Sequence, residues 1–287
     1  MKTIRFLSIC LAVGVIPASF FAGPPAFAQV SSSTRSGLTP LQREIENQRR
    51  RLASAEVEER RDALVHLGNL RRAESSRVAL GALNDSEVMV RATAAHSLGG
   101  LPASEVVTAL VPLLNDKSEF VRQEVAYVLG GTRNRGAVEP LIATLSGDKK
   151  DSVRGAAAVA LGQIGEPAAV VSLAAILNHG ALPVKSGKGK KSAGRKENEF
   201  VLRAAARALG QIGDRAGVPA LIVVLSDEKN PDDLRREAAQ ALGLIGDPSS
   251  EPALRSVLIA HDPYLSRAAQ EALRRIQQGA ARSGPGG

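Results

Sequence analysis

The stretch Val153–Gly165, VRGAAAVALGQIG, decides the fold, and Val201–Gly213, VLRAAARALGQIG, nearly repeats it. The Leu before the central Gly marks a series of seven copies: Leu67, Leu98, Leu129, Leu161, Leu209, Leu242 and Leu273. Their spacings are 31, 31, 32, 48, 33 and 31 residues. A period near thirty, written mostly in helix-forming residues, is the signature of stacked helix pairs that bury their faces on one another. Composition agrees. The 287 residues are 44% hydrophobic but only 3% aromatic, with no Trp, so Ala, Leu, Val and Ile must fill the core. That suits closely packed helices and excludes most sandwiches and barrels, which favour β-branched and aromatic residues.

With each marker Leu as position zero, Val or Leu occupies −8 in six copies (Val90, Val121, Val153, Val201, Leu234, Leu265). Ala recurs at −4 and −3, and Leu or Ile returns at +3 from Leu70 to Ile276. Positions −8, −4, 0 and +3 share one helical face and form the core stripe. Gly follows the marker in the first six copies, where it relieves crowding near a helix end, and Arg274 replaces it in the seventh. Arg stands at −7 in Arg60, Arg91, Arg122, Arg154 and Arg235, and at −6 in Arg203 and Arg267. Asp85, Asp116 and Asp148 lie six residues before Arg91, Arg122 and Arg154, so a ladder of ion pairs between copies is expected. Upstream, Thr39-Pro40-Leu41-Gln42 reads as a helix start, with Thr as N-cap and Gln three residues on.

The pattern Asp85–Gly99, DSEVMVRATAAHSLG, and its relatives resemble HEAT repeats of the bacterial type related to phycobilisome-lyase repeats. First helices fit the same pattern in Glu139-Pro140-Leu141-Ile142, Val218-Pro219-Ala220-Leu221 and Glu251-Pro252-Ala253-Leu254. The resemblance implies an all-α protein: an α-solenoid of about seven HEAT-type helix pairs across residues 39–277, wound as a right-handed superhelix. The first and seventh pairs read as its caps. It implies little about function, since the fold serves scaffolds, enzymes and chromophore lyases alike.

Residues 1–28 read as a signal peptide: Lys2 and Arg5, an apolar run from Phe6 to Phe21, then Ala26-Phe27-Ala28 as cleavage site. An uncleaved anchor is the alternative, against which Pro17 and Pro24-Pro25 argue. A lipoprotein reading fails because Ile9, not a small residue, precedes Cys10. Cleavage after Ala28 would remove Cys10, the one cysteine, leaving neither thiol nor disulfide. An exported protein, periplasmic or extracellular, is expected. Residues 29–38 form a polar flexible linker and 278–287 a disordered tail.

The formal charge of +8 is unevenly placed. The leader carries +2, and residues 181–198 carry +5 through Lys185, Lys188, Lys190, Lys191, Arg195 and Lys196 against Glu197, leaving +1 for the repeats. The basic stretch reads as a mobile Gly/Ser/Lys insertion. It is either a tolerated loop or an electrostatic grip on an anionic polymer or membrane surface. It lacks aromatic side chains for base stacking, so specific nucleic-acid recognition is not expected.

In the repeat geometry that the resemblance implies, second helices line the concave face, and positions −6, −2 and +2 project from it. These rows give an aromatic and polar zone at His96, Gln123 and Tyr127, and a basic zone at Arg203, Arg207 and Arg236, with Gln211 and Gln240 beside it. Tyr and Arg are frequent hot spots of binding; an ordinary solvated surface is the alternative. Enzyme signatures are missing: no G-x-S-x-G, P-loop or H-E-x-x-H occurs. The four His are scattered, so neither a metal nor a cofactor is expected. The His-Glu dipeptides with which HEAT-repeat deoxyhypusine hydroxylases bind iron do not occur, nor does the Trp of HEAT-like glycosylases. The expectation is a monomeric, non-catalytic scaffold that binds another protein in the envelope, with no transmembrane segment after cleavage. The alternatives are an electrostatic adaptor acting through residues 185–196 and, by fold analogy alone, a lyase-like enzyme.

Overall fold

Thr39 starts the helical part of the chain by a reciprocal cap. The Gln42 N–H donates to Thr39 Oγ1 (3.2 Å) and the Thr39 N–H donates to Gln42 Oε1 (2.9 Å), satisfying two free donors of the first turn. The computed structural model describes residues 37–178 and 197–282, and the chain divides into two units, Met1–Gln42 and Arg43–Gly287. The leader and the six cations of the basic stretch lie outside the described residues. The second unit, where it is described, is an α-solenoid.

Its helices pair as the period predicts: α1 (Pro40–Arg51) with α2 (Val57–Asn69), α3 (Ala73–Ala79) with α4 (Val88–His96), and α5 (Ala103–Leu110) with α6 (Glu119–Gly131). Then α7 (Val138–Gly147) precedes α8 (Asp151–Ile164), α9 (Val170–Leu177) precedes α10 (Glu199–Ile212), and α11 (Val218–Ser226) precedes α12 (Asp232–Ile245). The last pair is α13 (Glu251–Ser256) and α14 (Pro263–Arg282). Short 3-10 turns lead into or out of most first helices. No strand occurs among the described residues. The core stripe is buried as expected: Val121, Val125 and Leu129, or Val201, Ala205 and Leu209, are fully enclosed.

Glycine carries two separate tasks in the repeats, and the fourth, fifth and sixth units have one for each. The first, at +1, is where neighbouring second helices touch. A Cβ on Gly130 would lie 2.6 Å from Ala160 Cα, one on Gly210 2.7 Å from Ala241 Cα, and one on Gly243 2.7 Å from Ala272 Cα. Close approach of two helices, rather than crowding within one, fixes this position. The second, at +4, ends the helix in the left-handed region at Gly165, Gly213 and Gly246, with φ of 78°, 76° and 73°. There each N–H donates back to the marker carbonyl, as Gly165 does to Leu161 at 3.1 Å. In the first and third units Arg71 and Arg133 take that conformation at φ 49° and 50°.

The second unit departs from the rule. Its +4 residue is Pro102, whose φ of −54° bars the left-handed cap, and α4 stops at His96, before the marker Leu98. Gly99 accordingly meets nothing, and it is Gly100 that lies against the Arg72 backbone. At the other end, α14 continues to Arg282, past the expected boundary at residue 277. Gln277 stands where other units have the capping Gly, and the following residues are mostly good helix formers.

The arginine ladder forms, and it joins successive units. Arg60 grips Asp85 with Nε and Nη2 at 2.9 and 3.0 Å, Arg91 grips Asp116 at 2.8 and 2.9 Å, and Arg122 grips Asp148 at 2.7 and 3.0 Å. Each fork is bidentate. The same arginines donate Nη1 to loop carbonyls of their own unit, as Arg91 does to Asp85 and Ser86. The aspartates also accept backbone N–H groups two residues on, at Glu87, Ser118 and Lys150. Burial pushes the Asp116 carboxyl up, but the hydrogen bond and charge of Arg91 and the Ser118 N–H outweigh it and hold it below the usual range. The same balance lowers Asp85 and Asp148. A fourth rung crosses the basic stretch: Arg154 donates Nη1 to Glu197 Oε1 at 2.6 Å. Glu197, counted above with that stretch, is part of the solenoid.

Candidate functional site

Consecutive second helices run side by side with a constant stagger. The +1 Gly of one helix meets the −1 residue of the next, as in Gly130 and Ala160 or Gly162 and Ala208. On the face that the −6 and −2 rows share, position −2 meets −5 of the next unit, as in His96 with Glu124 and Arg207 with Glu237. Position −6 likewise meets −9, as in Arg203 with Asp233 and Arg236 with Tyr264. The offset is two to three residues, a slide of about 3–5 Å along the helix axis.

This stagger decides what the expected site residues do. His96 Nε2 lies 2.8 Å from Glu124 Oε2 at the exposed surface. Tyr127 is half-buried and packs against the core. Gln123 is half-buried on the same helix. Gln211 reaches back over Gly162, as Gln163 does over Gly130.

The basic zone is neutralised by acids of the following unit. Arg203 lies 3.4 Å from Asp233 and 3.8 Å from Glu237, and Arg207 donates Nε to Glu237 at 3.2 Å as well as pairing through Nη2. Arg236 donates Nη1 to Asp262 at 2.7 Å, pairs with Asp233, and lies 5.6 Å below the Tyr264 ring. The hydrogen bond to Glu237 raises the Arg207 pKa above its ordinary value. Burial raises the Asp262 carboxyl, yet the Arg236 hydrogen bond and two backbone N–H donors leave it lowered. The zone is an alternating network of charges and offers no bare cationic patch.

A recess of about 610 Å³ opens between α12 and α14, lined by Arg236, Gln240, Leu244, Tyr264, Arg267 and Glu271 among others. A second concavity, of about 660 Å³, sits at the loop edge around the Arg122 and Asp148 rung. No group of three or more metal-ligating side chains occurs among the described residues, and no helix there is long and apolar enough to cross a membrane.

A family model described as HEAT repeats matches residues 49–130, 107–186 and 191–281. The chain is a HEAT-repeat protein. Among curated proteins, none matches it significantly in sequence. Among solved structures it is similar to the Escherichia coli protein YibA, at 20% identity and TM-score 0.56, over 83% of this chain and 82% of that one. It is also similar to the CpcE and CpcF complex of phycocyanin lyase from Nostoc sp. PCC7120, at 23% identity, TM-score 0.47, and 93% and 99% coverage. Human deoxyhypusine hydroxylase follows at 19% identity, TM-score 0.39, and 82% and 96% coverage. At 20% identity the likeness to YibA bears on the fold and says nothing about activity.

In this HEAT stack one row of the exposed face escapes a reading built on −6, −2 and +2 alone. Met89, Phe120, Phe200 and Tyr264 all stand at −9, where each is exposed. The Phe200 ring covers Gly155, where any Cβ would overlap it. The signal was present in the sequence, because −9 continues the helical series −2, −6 by a further three residues.

Proposed function

We propose that this HEAT-repeat chain is a non-catalytic scaffold of the bacterial envelope that binds another protein through the face formed by its second helices. The −9 row carries this reading. Met89, Phe120, Phe200 and Tyr264 stay exposed on helices whose other large apolar residues are mostly buried. Apolar side chains interleaved with arginines are the usual composition of an interface core. Repeat stacks present such a row on a rigid frame, so little ordering entropy is lost on binding. The envelope assignment rests on the leader in residues 1–28, and the non-catalytic assignment on the missing enzyme motifs.

The concentration of +5 in residues 181–198 favours a second reading, an adaptor to an anionic surface or polymer. Capture from an envelope extract at low and high salt separates the two. The scaffold reading expects a partner that survives deletion of residues 185–196 and moderate salt, and is lost in Phe120→Ser combined with Arg207→Glu at unchanged helicity. Capture that vanishes with the deletion and falls steeply with ionic strength would instead establish the adaptor.

A further inference from the structure

We infer that the recess between α12 and α14 receives an acidic side chain of a partner peptide, a Glu or Asp adjacent to an apolar residue. The proposal rests on reading the second-helix face as the partner surface, and it names the place and chemistry of one contact. At this junction position −5 carries no acid. Arg207 and His96, at −2, are filled in from the next unit by Glu237 and Glu124 at −5. Gln240, the −2 residue of the sixth unit, faces Ala268 instead, and the small residues Gly243 and Ala272 complete the floor.

The walls then select the occupant. Three guanidinium groups line the recess, those of Arg236, Arg267 and Arg275, against one carboxylate, Glu271. Arg236 is held by Asp262 and Asp233, and Arg275 by Glu271 at 3.1 Å. Arg267 is exposed, and its side chain has no ion pair or hydrogen bond among the described residues. Of the cations lining the recess it is the one without such a partner among the described residues, and so the one able to take a carboxylate. Beside it, Tyr264 is 68% exposed and Leu244 52% exposed, so apolar surface adjoins the charge. A phosphate polymer fits less well: Glu271 opposes it, most of the positive charge is already satisfied, and a single ring gives no stacking series.

The test is selection of random peptides displayed on phage against the full-length protein, followed by titration of the best sequence as a labelled synthetic peptide. Sequences with Glu or Asp beside an apolar residue should be enriched. Their binding should weaken roughly tenfold or more in Arg267→Glu, as for a hot-spot arginine. It should weaken comparably in Ala268→Glu, which places a competing carboxylate in the lining of the recess. Enrichment of basic or uncharged sequences, or competition by inorganic polyphosphate, would overturn the inference. An acidic peptide indifferent to Arg267→Glu but lost with Phe120→Ser and Arg207→Glu would overturn the recess and leave the face as the partner surface. Selection of no peptide at all would count against both.

Discussion

The first four units and the last three use arginine differently, and in the fifth and seventh one residue of register makes the difference. In the first four it stands at −7 and reaches the loop edge, where Arg91 is 4% exposed and locked to the next unit by Asp116. In the fifth, Leu202 takes −7 and is buried, while Arg203 at −6 emerges on the exposed face beside Arg207. A shift of one residue turns a helical side chain by about 100°. Arg235 returns to −7 in the sixth unit, but it finds only the Leu225 carbonyl and Asp232 of its own helix. The joints of the early units are therefore fixed by enclosed ion pairs. In the later units the pairs that cross between second helices, such as Arg203 with Asp233 and Arg207 with Glu237, lie on the exposed face, with the two arginines 40% and 55% exposed.

The largest effect should come from breaking a rung. Asp116→Ala strands the enclosed Arg91 charge and should cost about 3–5 kcal/mol. Asp233→Ala, which loosens exposed pairs, should cost less than about 1 kcal/mol. Urea unfolding of both variants measures the contrast, and equal losses would dissolve it. The rungs should also weaken in acid, read as a fall in urea midpoint with pH. Asp85, Asp116 and Asp148 have pKa values lowered by folding, so their contribution is complete above the unfolded value near ~4 and disappears as pH falls through the folded values.

A smaller effect should separate the glycines. Gly210→Ala drives a Cβ to 2.7 Å from the Ala241 backbone, an overpacking cost of about 1–3 kcal/mol that exceeds the ~1 kcal/mol gained from helix propensity. Gly99→Ala meets nothing and should be neutral. A thermal shift of the same sign and size in both would remove the close-approach account.

The smallest expected change is also the one of opposite sign. Arg133→Gly relieves a side chain held at φ 50° and should stabilise by about 1 kcal/mol, whereas Gly213→Ala at φ 76° should destabilise by a similar amount. Denaturation midpoints that move together would contradict the assignment of both positions to the same cap.

How much of this the chain spells out depends on whether a contact lies within one unit or between two. The Thr39 and Gln42 cap, the Val201 to Ile212 stripe and the seven pairs are local or periodic, so the order of residues reveals them. The ladder was legible because Asp and Arg recur at fixed spacing. Neutralisation of Arg203, Arg207 and Arg236 was not, because Asp233, Glu237 and Asp262 sit in the following unit and only the stagger brings them across. Arg71 and Arg133 conceal their left-handed caps behind a residue type that rarely adopts them. The recess was invisible for a related reason, since its lining comes from two helices, α12 and α14, that only the stacking brings together.

The glycine and alanine contacts have a consequence for the chain's history. Gly130, Gly162, Gly210 and Gly243 each present the same bare surface, and Ala160, Ala208, Ala241 and Ala272 each receive it. Excising the fourth unit whole would bring Gly130 onto Ala208, a joint of the kind already used four times. Lengthening and shortening by gene duplication or loss are thus built into these later units as interchangeable parts. The second unit, with Gly99 idle and Pro102 at its end, fits only where it stands.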